Sequence, residues 1–414
     1  MKKLGVYIHI PFCVHKCSYC DFYSLSGCDK LMPKYQHALL KHIKESSSQL
    51  SDFYIDTVYF GGGTPSYYGA DRLVEIFESL KQNCNVLIDS EVTAEVNPDS
   101  ITKDALIKLN KAGFNRISIG VQAADDAMLK RIGRTHNFAA CERAVENARL
   151  AGFKNVSVDL IYGLPSQSAE DWSKTLTRIL TLKPEHISCY GLKISDGTEM
   201  AMYKNSPFMP DDDAQADMYL YATEILSKYG YKQYEISNFA KPGYESLHNL
   251  KYWTCNEYIG FGAAAHSYLG SLRYSNISDI EKYIDGITSG HEIIDYNEKI
   301  NAFEKASEYL MLGLRTVHGI SEEEYRKIYP LEFSAIEEKL KICEKYNWAV
   351  KTGDRWHFTP KGFLVSNILI GQVLDAHSEQ DFNRPHPWMQ NDFERTPIKT
   401  VDAFNNSGTI FRGL

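Results

Sequence analysis

The sequence predicts an α/β fold: a partial barrel of six β/α units over residues 1–232, then a mainly helical, winged-helix-like region over 233–375 and an irregular tail over 376–414. Three observations point there. Short apolar, β-branched runs alternate with amphipathic stretches of helical length, the pattern of right-handed βαβ crossovers and a parallel sheet. At 414 residues the chain exceeds what one hydrophobic core organises. The chemically unusual residues fall at the C-terminal ends of the predicted strands, where barrels gather functional groups.

The predicted strands are 5–10 (GVYIHI), 57–62 (TVYFGG), 90–96 (SEVTAEV), 116–122 (RISIGVQ), 156–163 (VSVDLIYG) and 186–192 (HISCYGL). Amphipathic helices are expected near 31–50, 71–82, 102–112, 137–151 and 168–182, with another near 212–229. Beyond the barrel, 279–290, 302–316, 321–329 and 333–346 read as helices, followed by a hairpin turning at Thr352-Gly353-Asp354 and a helix near 360–371. That order suggests a winged-helix-like module, but its helices are acidic, which argues against DNA binding. The tail has no periodicity.

A net charge of −8 and a pI near 5.9 argue against a nucleic-acid or anionic-membrane partner held by bulk electrostatics. The chain enters its first strand after Met1-Lys2-Lys3 without a signal-type apolar stretch, and contains no run of about 18 apolar residues. A soluble, cytoplasmic protein is expected.

Cys13, Cys17 and Cys20 form a CxxxCxxC triad directly after the first strand. Four-iron clusters usually take four thiolates, so three suggest a cluster with one iron left open for a small molecule. The alternative is zinc, with His9 or His15 as a fourth ligand, although no second CxxC or HxxxH accompanies the triad. Disulfides are disfavoured by an odd total of nine cysteines, the other six scattered singly.

Gly61-Gly62-Gly63-Thr64-Pro65 reads either as a tight turn or as exposed backbone that a ligand can approach closely; it lacks the Lys-Ser/Thr of a phosphate-binding loop. Glu95 and Asp159, at strand ends, are as readable as structural residues, capping a helix or forming a salt bridge, as they are as site residues. Arg134 is by default a solvated charge, unless a buried carboxylate claims its guanidinium. His248, in His248-Asn249-Leu250-Lys251-Tyr252-Trp253, is by default a hydrogen-bonded structural residue, yet imidazole is a common axial ligand of heme iron and the flanking aromatics offer porphyrin a flat surface.

Taken in order, YIHIPFCxxxCxYCDF, GGGTPS, AEVNPD, ISIGVQ, IGRTH and VDLIYGLP resemble the oxygen-independent coproporphyrinogen III oxidase family of radical S-adenosylmethionine (SAM) proteins, over roughly residues 1–375. The resemblance implies a radical-SAM barrel in which Cys13, Cys17 and Cys20 bind a [4Fe-4S] cluster. Tyr7, Tyr19, Gly62, Gly63, Thr64, Glu95, Gln122, Arg134 and Asp159 fall where that family contacts SAM, which the cluster cleaves by donating one electron. Two departures separate this chain from the oxidase branch: Asp21-Phe22 follows Cys20 where the oxidases resemble CxxxCxFCGC, and only a few residues precede the first strand. HNxxYW instead resembles the HemW branch of heme chaperones. This implies His248 as a heme ligand, with His266 a weaker candidate, and heme and heme-acceptor proteins as partners, including transient contact with membrane-bound respiratory proteins. Oxidative decarboxylation of coproporphyrinogen III is the alternative function, and the two departures leave catalysis itself open.

Overall fold

The computed structural model describes residues 2–379. Of the tail expected over 376–414, residues from 380 on lie outside the described part, while 376–378 end a helix.

The six β/α units are present. They comprise β1 (Lys2–Ile10), α1 (Met32–Ser46), β2 (Phe53–Gly62), α2 (Ala70–Asn83), β3 (Val86–Val96), α3 (Lys103–Ala112), β4 (Arg116–Gln122), α4 (Phe138–Leu150), β5 (Asn155–Tyr162), α5 (Ala169–Thr181), β6 (His186–Gly191) and α6 (Asp212–Lys228). Local chemistry sets their limits. Ser168 and Asp171 form a reciprocal capping box at the start of α5, and its apolar face, Trp172, Leu176 and Ile179, is buried. Gly113 ends α3 in the left-handed region at φ 110°.

The chain continues through β7 (Lys232–Gln233), β8 (Asn238–Ala240), α7 (Leu247–Trp253), β9 (Tyr258–Phe261), β10 (His266–Leu269), β11 (Leu272–Asn276), α8 (Ile280–Ser289) and β12 (Ile294–Lys299). All these strands join one twelve-stranded sheet, ordered β12-β11-β10-β9-β1-β2-β3-β4-β5-β6-β8-β7. Strand β9 and β1 to β6 are parallel, and the remaining pairings are antiparallel.

The sheet therefore does not stop at residue 232, where the sequence reading ends the barrel. Strand β9 pairs with β1 from Gly5↔Tyr258 to Ile8↔Phe261, so β1 is an interior strand with neighbours on both sides. The main apolar core accordingly extends from Leu4 to Ile287. A second core is built from residues 303–373 with Tyr219 of α6. It lies among α9 (Ala302–Gly313), β13 (Ile320–Ser321), α10 (Glu322–Ile328), α11 (Ser334–Lys345), β14 (Ala349–Thr352), β15 (Arg355–Phe358) and α12 (Ser366–Ser378). Helix, strand, two helices and a hairpin, with β15 between β13 and β14, follow the winged-helix order. Among the described residues no helix is long and apolar enough to cross a membrane.

Glu235 sits where the two cores are stitched together, its backbone bridged antiparallel to Thr316, with Ile236 N–H donating to Arg315 O at 2.9 Å. Its carboxyl is fully buried; Oε2 accepts Ser237 N–H at 3.2 Å, while Oε1 has no partner. Burial pushes its pKa up to about 7. A carboxyl raised in the folded state contributes stability below its unfolded pKa that is lost as pH rises through the folded value. Between pH 5 and pH 8 the wild type should therefore lose stability on the order of 3 kcal/mol relative to Glu235→Gln. Denaturant midpoints at the two pH values check this; parallel pH dependence in both proteins would contradict it.

Candidate functional site

The site is built where the chain leaves β1. After Ile10 the backbone does not turn back at once but runs beside the turn that follows β2: Gly63 N–H donates to Ile10 O and Thr64 N–H to Phe12 O, both at 2.8 Å. A Cβ on Gly63 would lie 2.9 Å from Ile10 O, Phe12 N and Phe12 O, and one on Gly62, at φ 112°, would meet the His9 ring at 2.5 Å. Both glycines are thus required by close approach, and Gly62 by conformation as well.

This pairing presses the cysteine loop against a cavity of about 290 Å³ at the C-terminal ends of β1 to β6. Cys13, Cys17 and Cys20 all line it, with Cys13 Sγ 3.3 Å from Thr64 Oγ1. Burial pushes the Cys13 thiol up and the Cys20 thiol up to about 11, so metal binding must displace protons from them. Neighbouring loops hold the cysteine loop in place: Ser18 N–H donates to Ile132 O at 3.2 Å, Met200 N–H to Ser18 O at 2.9 Å, and Ser18 Oγ to Glu199 Oε2 at 3.1 Å.

Tyr19, Gly62, Gly63, Thr64, Glu95, Gln122, Arg134 and Asp159 line the same cavity. Glu95 accepts from Tyr59 OH at 2.8 Å and Gly62 N–H at 3.3 Å, and burial raises its pKa to about 7. Asp159 accepts from Ser188 Oγ at 2.7 Å and Ser118 Oγ at 3.1 Å; burial raises its pKa as well. Neither carboxylate caps a helix. Gln122 closes β4 in the left-handed region at φ 68°. Arg134 is no solvated charge: it donates to Gly120 O at 2.7 Å, Asn97 Oδ1 at 3.3 Å and Cys17 Sγ at 3.5 Å, and its buried Nε has no partner.

The residues present suit a cluster and SAM. Three thiols and two glycines line the same cavity, and a buried guanidinium beside them retains an unused donor. Zinc would need its ligands to converge on one point; among the described residues no group of three or more His, Cys, Asp or Glu side chains is so placed, the cysteine triad included. Of the two possible fourth ligands, His9 has its ring nitrogens 3.1 Å from Tyr7 OH and 3.0 Å from Tyr23 O, whereas His15 lines the cavity with the cysteines.

Two expected residues lie elsewhere. Tyr7 is buried behind the cavity wall, bonded to His9 and stacked on Tyr59 at 6.3 Å between centroids. His248 was expected on a separate domain as an accessible ligand, but α7 instead plugs the inner end of the barrel. Leu247 and His248 N–H donate to Glu91 of β3 at 3.1 and 2.9 Å. The His248 ring is 0 % exposed, its Nδ1 bonded to Thr57 Oγ1 at 2.8 Å and its Nε2 to Tyr252 OH at 3.0 Å, and it stacks on Tyr59. Burial, with Lys251 and Arg116 nearby, lowers its pKa to about 3. Tyr252 and Trp253 are buried too and offer no open aromatic platform. His266, at the start of β10, is half-buried.

The cavity also contains residues the motifs did not single out: Asn97, Arg116, Ser118, Ser188, Tyr190 and Asn249. A signal was available for some. Strand alternation puts Asn97 on the same side as Glu95, and Arg116 and Ser118 on the same side as Gln122.

His248→Ala removes two buried hydrogen bonds and leaves a hole beneath Tyr59, and should cost about 2–4 kcal/mol of stability. Denaturant unfolding measures this; an unchanged midpoint would show that the ring is no structural anchor.

Residues 7–179 match the radical SAM superfamily and residues 300–365 the HemN C-terminal domain. The chain is 34% identical to heme chaperone HemW of Lactococcus lactis over 377 residues, covering 90% of this chain and 98% of that protein. It is 34% identical to heme chaperone HemW of Bacillus subtilis, covering 89% and 99%. The corresponding Escherichia coli protein is 32% identical, with 90% and 99% covered. Coproporphyrinogen III oxidase (HemN) from Escherichia coli superimposes with a TM-score of 0.78 at 22% identity, covering 90% of this chain and 89% of that one, a likeness of fold. With its cysteine loop on the cavity wall and relatives matched along nearly their whole length, the chain belongs to the HemW family of radical SAM proteins.

Proposed function

We propose that this protein is a heme chaperone: it binds heme, a [4Fe-4S] cluster and SAM, and delivers heme to acceptor proteins. The observation that supports this most is the juxtaposition of three cavity-lining thiols with Arg134, which touches Cys17 and retains a buried, unpartnered Nε–H, in a chain matched over 90% of its length by a heme chaperone.

In this reading Cys13, Cys17 and Cys20 hold three irons and leave the fourth open. Arg134 pairs with the carboxylate of SAM, Gly62 and Gly63 line the space for its amino acid half, and Glu95, Gln122 and Asp159 contact the rest. When bound, the cluster supplies one electron to SAM. The protein's own part is to orient both and limit water. Phe22, not a cysteine, lines the cavity two residues after Cys20, where the oxidases carry their extra cysteine, and this favours a chaperone over a decarboxylase. Heme ligation by His248 would require both of its ring hydrogen bonds to break and α7 to leave the barrel, so the reading does not rest on that residue.

Cys17→Ala should abolish cluster assembly, read as iron content and charge-transfer absorption after anaerobic reconstitution; four irons with full colour would remove Cys17 from the ligand set. Arg134→Ala should keep the cluster but weaken SAM binding by about 1–3 kcal/mol in calorimetry, and unchanged affinity would remove Arg134 from the site. The reconstituted wild type should bind heme and pass it to an apo-acceptor, yet form no protoporphyrinogen from coproporphyrinogen III with SAM and reductant. Sustained decarboxylation, or no heme binding, would overturn the chaperone reading.

A further inference from the structure

The inner end of the cavity, where the floor meets α7, contains polar groups that neither the cluster nor the SAM contacts above use. Arg116 opens β4 on the lumen side and is 1 % exposed, yet its Nε and Nη1 have no hydrogen-bond partner. The carboxylates whose charges act on it are already satisfied by other donors: Glu91 by the N–H groups of Leu247 and His248, Asp159 by Ser188 and Ser118. Asn249 faces the same space from α7; it is 8 % exposed and its Oδ1 also lacks a partner. A carboxamide can be turned by exchanging its oxygen and nitrogen, which would present Nδ2 as a donor beside the guanidinium.

A buried guanidinium with unused N–H donors is costly unless a ligand claims it, and the group whose geometry best matches its fork is a carboxylate. We propose that Arg116 and Asn249 form a carboxylate subsite at the inner end of the cavity, separate from the carboxylate position at Arg134. Two sources share that chemistry: a propionate arm of the tetrapyrrole, or a free short-chain carboxylic acid. The first rests on the heme reading above and the second does not. The floor's placement follows from the α7 plug: Glu91, Thr57 and Tyr252 fix Leu247 and His248, and thereby aim the next residue, Asn249, into the lumen.

The test uses reconstituted full-length protein, Arg116→Gln and Asn249→Ala, the second removing no buried charge should the first fail to fold. Heme and heme dimethyl ester are titrated into each, and propionate and succinate are tested separately for thermal stabilisation of the heme-free protein. If propionate arms use the subsite, wild type binds heme roughly tenfold or more tightly than its diester, and the preference collapses in the variants. If a free acid is the occupant, heme and diester bind alike while propionate or succinate raises the wild-type melting temperature and fails to raise that of the variants. Equal binding of heme and diester with no stabilisation by either acid overturns the proposal, as does a preference or stabilisation that survives in Asn249→Ala and in folded Arg116→Gln. Absence of any heme binding by wild type counts against the chaperone reading, and the acid arm then decides the subsite alone.

Discussion

Gly63 N–H bonded to Ile10 O and Thr64 N–H to Phe12 O make the segments leaving β1 and β2 run on as a pair beyond the sheet. Everything at the mouth of the barrel depends on that stitch. It works only with side chains absent, because a Cβ at Gly63 would sit 2.9 Å from three backbone atoms of the other segment. With the two segments fixed, Cys13 comes to rest against Thr64, and the rest of the cysteine loop is then close enough for Arg134 to touch Cys17. The partial barrel thus positions Cys13 through backbone hydrogen bonds between two strand ends, and the bonds of Ser18 to Ile132, Met200 and Glu199 hold the rest of the cysteine loop.

At the other end of the lumen the constraint is electrostatic. Glu91, buried on β3, accepts two amide hydrogens from the start of α7, and Lys251 of the same helix pairs with Asp56 at 2.7 Å. A short helix is thereby held inside the barrel by charge-assisted bonds that would be expensive to break in so dry a setting. The histidine of the HNxxYW motif belongs to this fastening, with both ring nitrogens satisfied and neighbouring aromatics packed round it. Only its neighbour Asn249 reaches the cavity.

The six barrel units were legible because alternation of apolar runs with amphipathic helices is a local property, and the strand ends carried recognisable chemistry at Glu95, Gln122 and Asp159. Strands β9 to β12 were not. Tyr-Ile-Gly-Phe at 258–261 is short, interrupted by glycine and lacks a two-residue period, and its place beside β1 is set by a contact some 250 residues away in sequence, Gly5↔Tyr258. The same distance effect hid the surroundings of His248. A histidine among aromatics reads alike whether it faces solvent or a barrel lumen, and Thr57 and Glu91, which decide the matter, lie far upstream. Arg134 carried the opposite ambiguity: a surface charge by default, it is buried because the loop leading into α4 folds it over Gly120 and Asn97.

The account turns on three protein thiolates leaving one iron open to SAM within this cavity. Mössbauer spectroscopy of the anaerobically reconstituted, iron-57-labelled protein, recorded with and without SAM, tests that most directly. The account predicts a [4Fe-4S] spectrum in which one iron changes its parameters when SAM is added while the other three stay as they were. A spectrum of equivalent irons indifferent to SAM, or protein that binds zinc in preference to a cluster, would contradict it.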